Sequence, residues 1–202
     1  MREFILLSLK GSTFDFEIND KTESGLVCRV IANTFWVSRG IRPDTVLHVV
    51  LNGPPHSPKI ITFTGSQIQD LPFDEKSVAK IVRHALNEGK DLKMHETKDV
   101  NPGIKVAKES FEWLVQDLAK KEIPLFYLHK KGDDIRTTPT LSNENIAFIF
   151  GDLFGIPQNT EKLLKRLNAN RITLGPTMLF ASHCPIIVHN ELDRKERNWT
   201  EE

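Results

Sequence analysis

The chain has 202 residues, 39% of them hydrophobic and 27% charged. These are values of a globular protein and exclude a disordered, collagenous or coiled-coil one. Lys plus Arg number 27 and Asp plus Glu number 27, a formal charge of zero. That excludes a strongly cationic nucleic-acid coat and leaves room for a local basic patch. A chain of this length buries roughly 70% of its unfolded surface without help from disulfides or metal, and the expectation is a single domain over 1–202.

Phe4 to Leu9 is a continuous apolar run of strand length, as in a strand covered on both faces. Leu26, Val27, Val30, Ile31 and Thr34 recur at three- and four-residue steps, which predicts an amphipathic helix over 23–38 closed by Gly40 and Pro43. The runs TVLHVVL (45–51) and KIITFT (59–64) read as strands, with NGPPHSP between them as a turn. A second helix starts at Phe73-Asp74, carries Val78, Ile81, Val82 and Ala85 on one face and stops at Gly89. A third is expected after Pro102, where Ile104, Ala107, Phe111, Leu114, Val115 and Leu118 again fall at helical steps. Then come a strand over 123–128, the polar stretch HKKGDDIRTTPTLSNEN, and a strand over 146–150 ending in Gly151-Asp152. A short helix over 160–167 and a strand over 171–174 follow. The last helix is expected to begin near Ser182, with Ser182 as its cap and Pro185 in the first turn, where no intrahelical N–H partner is needed. Strands alternating with helices predict an α/β fold with a mainly parallel sheet.

Two cysteines, Cys28 and Cys184, are too far apart for a CxxC pair and suit a reducing compartment. The opening MREFILLSLKG is short, broken by Lys10 and Gly11, and lacks a small-residue cleavage site, so it reads as a strand and not a signal peptide. No apolar run approaches the ~20 residues of a membrane helix, and a cytoplasmic protein is expected.

Dinucleotide, P-loop, nucleophile-elbow, zincin and kinase signatures are all missing. His183, Cys184 and His189 lack the paired spacing of a zinc site, so no metal is expected. Cys184 and His183, adjacent on a helix, diverge around its axis and make a poor nucleophile–base pair. A helix start nevertheless offers free N–H donors at Cys184. Three strand ends carry unusual punctuation: Leu128-His129, Phe150-Gly151-Asp152 and Leu174-Gly175-Pro176. Open α/β sheets bind ligands beyond the carboxyl ends of their strands, where small residues let main chain approach a ligand. Three such ends within the last eighty residues predict a pocket lined by backbone.

The closing segment ITLGPTMLFASHCPIIVHNELDR (172–194) closely resembles the closing signature of the archaeal TrmY family, S-adenosylmethionine-dependent tRNA pseudouridine N1-methyltransferases of the SPOUT superfamily. MREFILL, LVCRVIANTFWVSRGIRPDT (26–45), HVVLNGPP (48–55) and IAFIFGD (146–152) are similar to that family in the same order. Pro185 departs from it, standing where the family carries an aliphatic residue. The resemblance implies a SPOUT-type domain whose C-terminal part, about 123–202, forms a trefoil knot, an exception to the rule of unthreaded chains. It implies a homodimer with the site at the interface, and a tRNA substrate. It also implies S-adenosylmethionine contacts at Leu128, Gly151, Leu174, Gly175, Pro176, Thr177, Met178, Leu179 and Cys184. Candidates to stabilise the deprotonated base or take its N1 proton are Arg29, Asp152 and Asn190. Arg29, Arg39 and Arg42 form one candidate phosphate-contacting patch, and Lys130, Lys131 and Arg136 a second. The alternatives are the related Nep/Emg family, which acts on ribosomal RNA, and a non-catalytic RNA-binding or assembly protein on the same fold.

Overall fold

The structure is a computed structural model that describes residues 1–18, 23–138 and 145–196. Part of the expected polar connection (139–144) and the end of the expected knotted span (after 196) lie outside the described residues. Strand β1 (Arg2–Ser8) leads to α1 (Ser24–Phe35), the two-residue strands β2 (Trp36–Val37) and β3 (Gly40–Ile41), β4 (Thr45–Leu51) and β5 (Lys59–Thr64). Next come α2 (Glu75–Glu88), β6 (Thr97–Asn101), β7 (Ile104–Ala107) and α3 (Phe111–Lys120). The last part holds β8 (Leu125–Asp134), β9 (Ile146–Gly151), α4 (Gln158–Arg166), β10 (Asn170–Thr173) and α5 (Cys184–Glu196).

One eight-stranded sheet runs in the order β10-β8-β9-β1-β4-β5-β7-β6. Its first five strands are mutually parallel, and β5, β7 and β6 continue antiparallel. The α/β class with a mainly parallel sheet is therefore as expected. Alternation along each central strand serves two cores. Phe4 and Leu6 of β1, with Phe148 and Phe150 of β9, join the core under α1, α2 and α5. Ile5 and Leu7, with Ala147 and Ile149, join the core under α3 and α4. Burial on both faces explains why these strands read as unbroken apolar runs. Phe4, Phe148 and Phe126 stand side by side on β1, β9 and β8, with successive ring centroids 5.7 Å apart. Such offset pairs add about 0.5–1.5 kcal/mol each beyond buried area.

The helix expected from Pro102 is corrected. Residues 104–107 form β7, paired antiparallel with β5 and β6, and only Phe111–Lys120 is helical. Ile104 and Val106 are buried while Lys105 points to solvent, a two-residue period that three helical-step coincidences had masked. Gly103 takes φ +76 in the β6–β7 turn, where a Cβ would press on the Gln67–Ile68 backbone. Ser110 caps α3, its side chain accepting from the Trp113 amide, and Pro102 lies outside the helix. Helix α1 is also shorter than expected. It ends at Phe35, and residues 36–41 form a small antiparallel hairpin in which Gly40 is a strand residue.

The last helix begins two residues later than expected, after a 3₁₀ turn over Ala181–His183. Pro185 lies in its first turn, where a missing N–H leaves no bond unmade. Ala181, Cys184, Val188 and Leu192 are all buried on one face, as their spacing predicts. Polar bonds lock the same helix to the sheet. Buried Arg2 donates to Asp193 Oδ1 (2.6 Å), and Arg42 grips both Asp193 oxygens (3.2 and 2.6 Å). Arg2 also donates to His189 Nδ1 (3.0 Å), while His189 Nε2 donates to the Thr34 carbonyl (3.0 Å). These partners require a neutral imidazole protonated at Nε2. Burial first, then Arg42 and Arg2, push its pKa down to about 3.

Candidate active site

The parallel half of the sheet places the carboxyl ends of β8, β9 and β10 along one edge, and the chain beyond them encloses a cavity of about 490 Å³. Leu128, His129 and Lys130 line it where β8 loses register with β10. Arg171 pairs with Tyr127 but Ile172 pairs with Asp133, so residues 128–132 bow away from the sheet. The loop after β9 contributes Gly151, Asp152, Leu153, Gly155 and Ile156. The run after β10 contributes Thr173 to Ala181, and Cys184 closes the wall at the start of α5.

All nine residues implied as donor contacts therefore line one cavity: Leu128, Gly151, the run Leu174 to Leu179, and Cys184. Asp152, of the three catalytic candidates, lines it as well. Arg29 does not: it is exposed on α1 and paired with Glu75 Oε1 at 2.9 Å. Asn190 is exposed on α5 and also outside the lining. Arg42, offered by its spacing as a phosphate contact, is instead committed to Asp193. Arg136 is paired with Asp134 (2.6 Å), while Arg39, Lys130 and Lys131 are exposed.

The chemistry of the lining is mostly main chain and hydrocarbon. The Cys184 thiol donates to the Phe180 carbonyl at 3.5 Å, and burial pushes it up to about 12, so it is a protonated wall atom and no nucleophile at neutral pH. Asp152 is buried and holds its own loop: Oδ2 accepts from the Leu9 amide (2.7 Å) and Oδ1 from the Phe154 amide (2.9 Å). Glu23, seen in the sequence only as a helix boundary, stands beside Asp152: it accepts from the Ser8 hydroxyl at 3.0 Å, and Asp152 accepts from the amide of the next residue, Leu9. Burial, then the Asp152 contact, push Glu23 up to about 7. No local pattern signals that pairing, because the two acids are 129 positions apart in the chain and meet only through the β9–β1 ladder. Leu153, Gly155, Ile156 and Phe180 carry no such signal, although Gly155 belongs to the same FGDLFG run as Gly151. Among the described residues no group of three His, Cys, Asp or Glu is placed to hold a metal ion.

Residues 1–197 match the family described as "Putative SAM-dependent RNA methyltransferase". The chain belongs to that family. A tRNA (pseudouridine(54)-N(1))-methyltransferase of Methanocaldococcus jannaschii is 37% identical over 204 residues, covering 96% of this chain and 98% of its own. One of the same name from Methanococcoides burtonii is 34% identical over 199 residues, with 96% of each chain covered. Among solved structures, Archaeoglobus fulgidus Nep1 bound to S-adenosylhomocysteine is similar with a TM-score of 0.61 at 14% identity, over 90% of this chain and 76% of that one. At that identity the likeness is one of fold.

The cavity residues fit the methyl donor that the family uses. Leu128, Leu174 and Leu179 line it with hydrocarbon, and Gly151 and Gly155 in one loop and Gly175 in another leave main chain without side chains along the wall. At Gly151 a side chain would drive into the Gly155 backbone, so the wall there can be built only from main chain.

Proposed function

We propose that this chain methylates N1 of pseudouridine at position 54 in the T-loop of tRNA, using S-adenosylmethionine. The observation that carries the reading is the convergence of three strand ends and the α5 start on one backbone-rich cavity. Relatives 34–37% identical along nearly the whole chain bear the name of that activity.

On this reading Leu128, Gly151, Leu174, Gly175, Pro176, Thr177, Met178, Leu179 and Cys184 hold the donor. The sulfonium supplies a methyl group whose departure needs no general acid. The work left to the protein is to exclude water, orient the acceptor base and receive its N1 proton. Only a C-linked base offers a protonated N1, so isomerisation of the uridine must come first. The base has to leave its loop to reach the cavity, with phosphate contacts supplying binding energy. Of the two candidate patches, exposed Arg39, Lys130 and Lys131 are the cations put forward for those contacts. Asp152 is the proton-handling candidate inside the cavity. Arg29 and Asn190, which lie outside the cavity of their own chain, enter the reading as contributions from a second copy.

The same reading includes one SPOUT domain over 1–202, a trefoil knot within about 123–202, a homodimer and a cytoplasmic setting. Support for the knot comes from Gly132, where any side chain would strike the Ile172 backbone, so two segments press together at main-chain distance. Lys195 of α5 in turn donates to the Thr138 carbonyl (2.9 Å), on the connection that follows the bowed segment. Support for the dimer comes from Met178, Phe180 and Ile186, large apolar side chains left exposed at the cavity mouth and on α5. Among the described residues no helix is long and apolar enough to cross a membrane.

The test is transfer of a labelled methyl group to tRNA with and without pseudouridine at position 54, with the product located by mass mapping. Label at N1 of residue 54, dependent on prior isomerisation and absent from a ribosomal-RNA hairpin, is expected. Label on the ribosomal hairpin alone would transfer the reading to the Nep/Emg reaction. Absence of donor binding by calorimetry would end it.

A further inference from the structure

Glu23 lies outside the cavity lining, yet its carboxyl group stands beside Asp152, the one acid among the described lining residues. Asp152 ends β9, Ser8 ends β1 beside it, and Glu23 caps α1 over both. Two carboxyl groups anchored on the consecutive residues Ser8 and Leu9 repel when both are ionised, which favours one proton held on the pair. Asp152 is fixed by two backbone amides, and Glu23 by the Ser8 hydroxyl. The surrounding charges are few. Lys10, whose ammonium lies 4.1 Å from the Phe154 ring centre, lowers the Glu23 proton affinity slightly. Arg29 and Glu75, beyond Gly25, neutralise each other.

We propose that Glu23 and Asp152 act as one proton-accepting pair for methyl transfer, with Asp152 facing the acceptor base and Glu23 a positioning residue that sets the affinity of the pair. This rests on the methyltransferase reading above and deepens it. In the step, the nitrogen lone pair of N1 forms the new N–C bond. The methyl carbon's bond to sulfur breaks, its electrons stay on sulfur as a neutral thioether, and the N1 proton passes to the pair. The pair in its doubly ionised form takes up one proton and becomes singly charged, so no further reactant is needed. The form that can accept is populated above about pH 7, the range to which Glu23 is held. A base with an affinity near the working pH is the effective one.

Two measurements test this. In protein labelled with ¹³C at Asp and Glu carboxyls, one resonance is expected to titrate near pH 7 and to vanish in Glu23→Gln. Every carboxyl titrating in the ordinary range overturns the proposal, whatever the activity. In single-turnover methyl transfer, log rate is expected to rise with unit slope to a plateau near pH 7. Glu23→Gln should remove the inflection near pH 7, because the group held in that range is gone. Ser8→Ala, which removes the bond favouring ionised Glu23, should move it up. Asp152→Asn should lose roughly 100-fold or more at every pH. An unchanged inflection in Glu23→Gln overturns the proposal while leaving the function intact. A normal carboxyl titration near pH 7 with no methyl transfer by the unaltered protein instead overturns the function, and the proton-accepting role with it.

Discussion

Replacing Gly151 by Ala probes the cavity with the smallest possible side chain. The added Cβ would stand 2.7 Å from the Gly155 Cα and closer still to its carbonyl, where ordinary contact begins at 3.4 Å. The backbone of residues 151–155 must therefore retreat by about 1 Å, a displacement that can cost on the order of 100-fold in rate at a reacting centre. That segment is not free to yield. The Asp152 amide donates to Leu7 O (3.1 Å), Gly155 N to Asp152 O (3.0 Å) and Phe154 N to the Asp152 carboxylate (2.9 Å). Overpacking against such a braced wall costs about 1–3 kcal/mol, and for a domain of this size each kcal/mol lowers Tm by about 2–4 °C. Calorimetric titration with adenosylmethionine, thermal melts and single-turnover methyl transfer read the three effects. Gly40→Ala is the control, since it lies outside the cavity lining, its Cβ meets nothing within 4 Å and the φ of +141 imposes only a backbone penalty. Its Tm should fall while donor affinity changes far less. If Gly151→Ala binds the donor as the unaltered protein does, with the same Tm, the assignment of this wall to the donor is wrong.

Two further expectations concern α5. His189 is neutral in the fold down to about pH 3 but takes a proton near 6.5 when unfolded, so its contribution is complete above 6.5 and lost as pH falls. By pH 5 that is about 2 kcal/mol, or roughly 4–8 °C of Tm; a melt series from pH 7 to 5 should show the slope, and His189→Gln should flatten it. A slope that survives the substitution would assign it to other groups. If the proposed dimer forms through α5, Ile186→Arg, at an exposed apolar position, should shift sedimentation from dimer to monomer with little change in Tm; an unchanged sedimentation coefficient would refute that seam.

Much of the cavity could be read along the chain because its lining residues sit at strand ends and a helix start, which local punctuation marks. Gly151-Asp152 and Leu174-Gly175-Pro176 announce themselves by breaking apolar runs, and Cys184 by its place on the buried face of α5. The β6–β7 hairpin was misread because Ile104 and Ala107 satisfy a helical period as well as belonging to a strand. Only the neighbouring β5, which pairs with that segment, decides between the two.

Composition, apolar periodicity and the closing motif were sufficient for the α/β class, the central strands and the family resemblance, since each depends on residues near one another in sequence. What touches what across the sheet was not available there. Arg42 looks like a phosphate ligand until Asp193 arrives from the far end of the chain. Glu23 looks like a helix cap until Asp152 is brought beside it by strand pairing. Charge and proton affinity depend on distance in space and on burial, and both come into being only when the chain folds.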